Sequence, residues 1–139
     1  MTPIKKSLAD YPCYRITEDD SNYFGIVVDT VGDGVPWITV IEIFEEGGKT
    51  PPNSHSAAQE MFFVLKGEGK ARCDGHETTL KAGDVLVLPA GSVHEVENTG
   101  KGKMYCLTTM IPNQDFAELI RHGIPTRFDA EDLAVLEGR

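Results

Sequence analysis

Four side chains in this sequence are candidates to share one metal ion. The stretch PPNSHSAAQEMFFVLKG, residues 51–67, carries Asn53, His55 and Glu60, and His94 follows in LPAGSVHEVEN. Imidazole nitrogens and a carboxylate oxygen are ordinary ligands for Fe, Mn, Ni and Zn. Two histidines and one carboxylate suffice to hold Fe(II) with coordination positions left open. Asn53 and His55 share a face if their stretch is extended, because side chains two apart in a strand point the same way. His55 and Glu60 would fall on opposite faces of one continuous strand, so the stretch SAAQ (56–59) is expected to supply a bend. A carboxylate at the head of an apolar strand also needs a partner, since an unpaired buried charge is costly.

The elements around these residues read as β structure. YFGIVVD (23–29), WITVIEIF (37–44), EMFFVLK (60–66), KARC (70–73), HETTL (76–80), VLVLP (85–89), VHEVEN (93–98) and MYCLTTMI (104–111) are short β-prone runs. Glycine, proline and aspartate punctuate them at near-even spacing, which indicates an all-β sandwich, barrel or jelly roll. Asp74-Gly75 is a strong hairpin signal. EMFFVLK is apolar on both alternating rows and is expected to be buried on both sides. After Pro112 the pattern changes. PNQDFAELIRHG is expected to form a helix capped by Asn113 and ended at Gly123, laying Phe116, Leu119 and Ile120 on the β body; DAEDLAVLEG repeats the pattern with Asp129 as cap. The expected organisation is one domain over 1–139, with a β core at about 23–111 and a helical tail at about 113–137.

Composition narrows the function classes. A net charge of −9 over 139 residues argues against nucleic acid as a partner, because its binders present a basic face. Cys13, Cys73 and Cys106 form no CxxC pair, and their odd number suits a reducing compartment. The first residues include two lysines but no apolar signal core, and no run is long enough to span a bilayer. A soluble, cytoplasmic protein is expected, with no membrane partner.

Two motifs resemble those of the cupin superfamily. The second family motif reads Gly, five residues, Pro, one, Gly, two, His, three, Asn; Gly83, Pro89, Gly91, His94 and Asn98 match every interval. The first reads Gly, five, His, one, His, three or four, Glu, six, Gly. Gly47, Asn53, His55, Glu60 and Gly67 match it with Asn53 in place of the first histidine. Gln59 competes for the carboxylate position, but the interval to Gly67 selects Glu60. The resemblance implies a double-stranded β-helix (jelly-roll) cupin barrel with short C-terminal helices outside it. It also implies a divalent metal near one mouth, held by His55, Glu60 and His94, and a homodimer, a frequent state for cupins of this size.

Asn53 admits two readings. Its amide oxygen completes the metal shell, or hydrogen-bonds a metal-bound water or substrate oxygen; alternatively the site has decayed and Asn53 only bonds backbone. The leading functional expectation is a metal-dependent enzyme of oxygenase, isomerase or lyase type acting on a small organic molecule, with Glu60 doubling as a proton acceptor. The alternatives are a metal-free metabolite binder and a structural or interaction barrel, whose sign would be extra apolar surface on the MFFVL strand. Tyr105, Trp37 and Arg72 are weaker pocket candidates. His76 is expected to be solvated, and His122 to sit at a helix end.

Overall fold

A computed structural model describes residues 1–139. After a short 3-10 turn at Leu8–Asp10, the chain forms β1 (Cys13–Arg15), β2 (Asn22–Val28), α1 (Thr30–Asp33), β3 (Ile38–Phe44), β4 (Gln59–Lys66), β5 (Glu68–Cys73) and β6 (His76–Lys81). There follow β7 (Val85–Leu88), β8 (His94–Asn98), β9 (Met104–Ile111), α2 (Phe116–Arg121), β10 (Ile124–Thr126) and α3 (Ala130–Leu136). Two antiparallel sheets face each other. One runs in the order β10-β1-β2-β3-β9-β4-β7, the other β6-β5-β8, giving a jelly-roll barrel.

The inward rows now follow from the pairing. On β3 they are Ile38, Val40, Glu42 and Phe44; on β9, Met104, Cys106, Thr108 and Met110; on β4, Glu60, Phe62 and Val64. Phe44, Phe62, Val64, Ala71, Leu88 and Val96 close one end of the barrel with a continuous apolar plug. Polar side chains lie at the other end, and that is where a site has room.

The outer face of the large sheet is covered unevenly. α3 lies over Tyr23, Ile41, Ile43 and Tyr105, anchored by Phe128 and Leu133. No Cβ fits at Gly25, since it would overlap the Phe128 ring, so glycine is what lets this segment seat flat on β2. The β4–β7 end has no such cover. Phe63, Leu65, Val85 and Val87 are 37%, 38%, 57% and 58% exposed, so β4 is buried on one side only and the expectation of two-sided burial is corrected. Apolar residues fill both rows of β4, but just one row meets a core.

The tail also departs from the expected pattern. Between its two helices the chain returns as β10 and pairs with β1 at the sheet edge. α2 starts at Phe116, after Gln114 and Asp115 in left-handed backbone at φ 46° and 65°. Asn113 still performs the capping chemistry, its side chain accepting from Ala117 N at 2.8 Å. Ala117 and Ile120 are buried, but Leu119 is half exposed at the barrel mouth, not part of the stripe. Asp129 caps α3 as expected, accepting from Asp132 N at 2.9 Å.

Candidate metal centre

His94 opens β8 and Glu60 lies near the head of β4, on opposite sheets that meet at the polar end of the barrel. His94 Nε2 lies 3.1 Å from Glu60 Oε1, and His55 Nε2 lies 3.8 Å from the same oxygen. The three donor atoms fall within 4.8 Å of one another. The bend over 56–58 that brings His55 back to Glu60 is held from outside by Gln114, which accepts from Ala57 N and Ala58 N at 3.2 and 3.0 Å and donates to Ser56 Oγ at 2.8 Å. Gln59 lies exposed on the outer face, away from the histidines.

Hydrogen bonding sharpens what this cluster wants. Ser92 Oγ donates to Pro89 O at 2.7 Å, so its lone pairs are left to accept from His94 Nδ1 at 3.4 Å. The Nε2 nitrogen and Glu60 Oε1, both able to accept, face each other across 3.1 Å. Such a pair requires a cation between or beside its members, whether a shared proton or a metal ion. Neutral imidazole with its other nitrogen hydrogen-bonded is the usual form of a metal ligand.

Asn53 is positioned by backbone. Its N–H donates to His94 O at 3.0 Å and its carbonyl accepts from His94 N at 2.9 Å, a two-way bridge that fixes the residue beside His94. Its side-chain oxygen Oδ1 is buried without a hydrogen-bond partner. A buried amide oxygen in that state is under-satisfied and suits a cation, a water or a ligand donor. These residues therefore fit a divalent ion by donor type, spacing and an unsatisfied acceptor.

The four residues open into a cavity of about 250 Å³, also lined by Asn22 and Glu42 from the β2–β3 hairpin and by Phe24, Phe62, Phe116 and Leu119. Glu42 is 2% exposed, and its Oε2 accepts from Asn22 Nδ2 at 3.0 Å. Burial pushes its carboxyl up to about 8, the charge of Glu60 adds to the shift, and the Asn22 hydrogen bond opposes it. Next to it lies the buried Thr108 hydroxyl, whose approach to the carboxyl also opposes the upward shift. Sequence reasoning passed over Glu42. The available signal was a lone acid inside the apolar run WITVIEIF.

The weaker candidates lie elsewhere. Tyr105 points outward to Asp132, and Trp37 lines a separate surface depression with Tyr11 and Val27. Arg72 is exposed and pairs with Glu77 and Glu95. His76 is exposed, and His122 caps α2.

The model of the Cupin domain family matches residues 40–110, just over half of the chain and the segment that carries all four candidate residues. The chain belongs to the cupin family. An uncharacterized protein of Methanocaldococcus jannaschii is 27% identical over 97 residues, 70% of this chain and 78% of that one. The oxalate-binding protein of Thermotoga maritima is 35% identical over 69 residues, so this cupin spans 57% of that relative's length and 45% of its own chain is matched. Among solved structures, a predicted oxalate decarboxylase of Thermotoga maritima superposes with a TM-score of 0.68 at 20% identity, over 78% of this chain and 99% of that one. No helix of this cupin is long and apolar enough to cross a membrane.

Proposed function

We propose that this cupin is a metal-dependent enzyme acting on a small organic molecule, of oxygenase, isomerase or lyase type. His55, Glu60 and His94 hold a divalent Fe, Mn, Ni or Zn ion, and Asn53 Oδ1 completes the shell or binds a metal-bound water. The observation that carries this reading is the convergence of three donor atoms within 4.8 Å at one mouth of the barrel. The likeness to an oxalate-binding protein adds support for a small-molecule ligand. Bound there, the ion would supply Lewis-acid polarisation of a substrate oxygen or a site for O2. The chain's own residues do the rest. Ser92 orients His94, Gln114 holds the His55 bend, and Phe24, Phe62 and Phe116 exclude water from one side of the cavity. Glu42 is the buried acid of the cavity beyond the ligand set and the group best placed to hold or release a proton.

Metal content after incubation with each ion tests the reading. Near-stoichiometric metal is expected, lost in His94→Ala and Glu60→Gln and retained in Gln59→Ala. Asn53→His is expected to tighten binding. No metal with any ion, or loss only in Gln59→Ala, would sink the assignment.

A homodimer is the second part of the proposal. The exposed apolar row of β4 and β7 supports it, since contiguous patches of this kind mark interaction sites. Three free thiols support a reducing, cytoplasmic setting.

A further inference from the structure

Charge in the cavity bears on what it can admit. Asp20, Glu42 and Glu60 bring three carboxylates to the lining, and no lysine or arginine lines it. The arginines on neighbouring elements are taken up by protein acceptors and do not themselves line the cavity. Arg15 donates to Asp20 O at 2.9 Å and Glu45 Oε1 at 3.2 Å, and Arg121 grips Asp29 with two bonds of 2.7 and 2.9 Å. Asn22, Thr50 and Asn53 are neutral, His55 and His94 belong to the proposed ligand set, and the remaining wall is apolar.

We infer that the substrate is an uncharged, oxygen-bearing small molecule (a hydroxyl, carbonyl or amide compound) and that dicarboxylates and phosphate esters are refused. The inference rests on the proposed metal site and names what that site accepts. A divalent ion on Glu60 retains one positive charge, and the Asp20 carboxylate on the same lining offsets it, so the cavity needs no further anion before a ligand enters. An oxalate dianion would leave unpaired negative charge in a confined, half-dry space, where like charges interact far more strongly than in water. An uncharged ligand adds no such cost. Its donors meet Glu42, Asn22 and the unpartnered Asn53 Oδ1, and its carbon skeleton meets Phe24 and Phe116. The volume of about 250 Å³ suits a molecule of a few carbons, not a nucleotide. The oxalate chemistry in the names of the Thermotoga proteins therefore does not carry over to this chain.

Matched acid and amide pairs, glycolate with glycolamide and lactate with lactamide, test the inference. Mn(II) binding is measured first by calorimetry, and then each probe is titrated into the Mn(II)-loaded protein. Aqueous Mn(II) sets the reference ratio of acid to amide affinity. The protein is expected to lower that ratio by about tenfold or more, and the Asp20→Asn/Glu42→Gln double variant to move it back toward the aqueous value. A ratio equal to or above the aqueous one, or one unmoved in the double variant, overturns the inference. Failure to bind Mn(II) counts against the metal site alone. The charge preference is then read on the metal-free protein by ligand-observed NMR, where signal from the amides and none from the acids supports it. Equal signal from both, or silence from both, overturns it.

Discussion

Glu42 shows how one residue's environment sets its chemistry. Four of the seven residues of β3 are isoleucine or valine, and the acid among them faces the barrel interior at 2% exposure. Its carboxyl titrates near 8 when folded, against 4.5 for the ordinary group. The unfolded chain then releases this proton first, so stability falls as pH rises from about 4.5 to about 8 and levels off above. In the metal-free protein Glu42→Gln is expected to remove this slope and to gain on the order of a few kcal/mol at pH 9 relative to wild type. Urea midpoints at pH 5 and pH 9 check it; equal losses in both proteins would mean that Glu42 is ionised in the fold. The spacing of His55, Glu60 and His94 was legible because the motif intervals are local counts along the chain. That Asn53 is locked to His94 was not, because their bridge joins residues 41 apart in sequence.

At the scale of elements, α3 is tied to the barrel by a buried ionic knot. Asp132, fully buried, accepts from Tyr23 Oη at 2.6 Å, Tyr105 Oη at 2.7 Å and Lys103 Nζ at 3.1 Å. Burial pushes both phenols up, and the Asp132 charge adds to the shift. Burial alone would lower the Lys103 amine, but hydrogen bonds to Asp129 and Asp132 outweigh it and hold the group charged. Asp132→Ala strands the Tyr23 and Tyr105 hydroxyls and leaves Lys103 with Asp129 alone, and is expected to cost about 3–5 kcal/mol. Asp129→Ala, on the exposed side of the knot, should cost about 1 kcal/mol through the lost cap. Chemical denaturation of the two variants checks the contrast; equal costs would mean that Asp132 acts only through the capping box. The eight strands of the barrel were readable from punctuation and β propensity. β1 and β10 were not, because three-residue strands carry no period of their own and exist through mutual pairing at the sheet edge.

For the whole molecule, the uneven cover of the large sheet sets the expected assembly. A second copy would dock its Phe63, Leu65, Val85 and Val87 against the same residues, removing apolar surface from water in a two-fold contact. The net charge of −9 on each copy opposes this association at low salt and less so as salt rises. Val87→Lys with Phe63→Lys is expected to shift the protein to monomer in sedimentation while leaving metal content unchanged. A wild type that is monomeric at all concentrations would exclude this face as an interface. The sequence by itself determined the β-rich class and, through its likeness to the cupin motifs, the barrel and the candidate positions Asn53, His55, Glu60 and His94, because strand punctuation and motif spacing are properties of neighbours along the chain. The tertiary structure alone decided which row of β4 is covered, that Glu42 joins the cavity, and that three acids but no lysine or arginine line it. Those facts depend on which sheet face meets which, a matter of contacts between residues far apart in sequence.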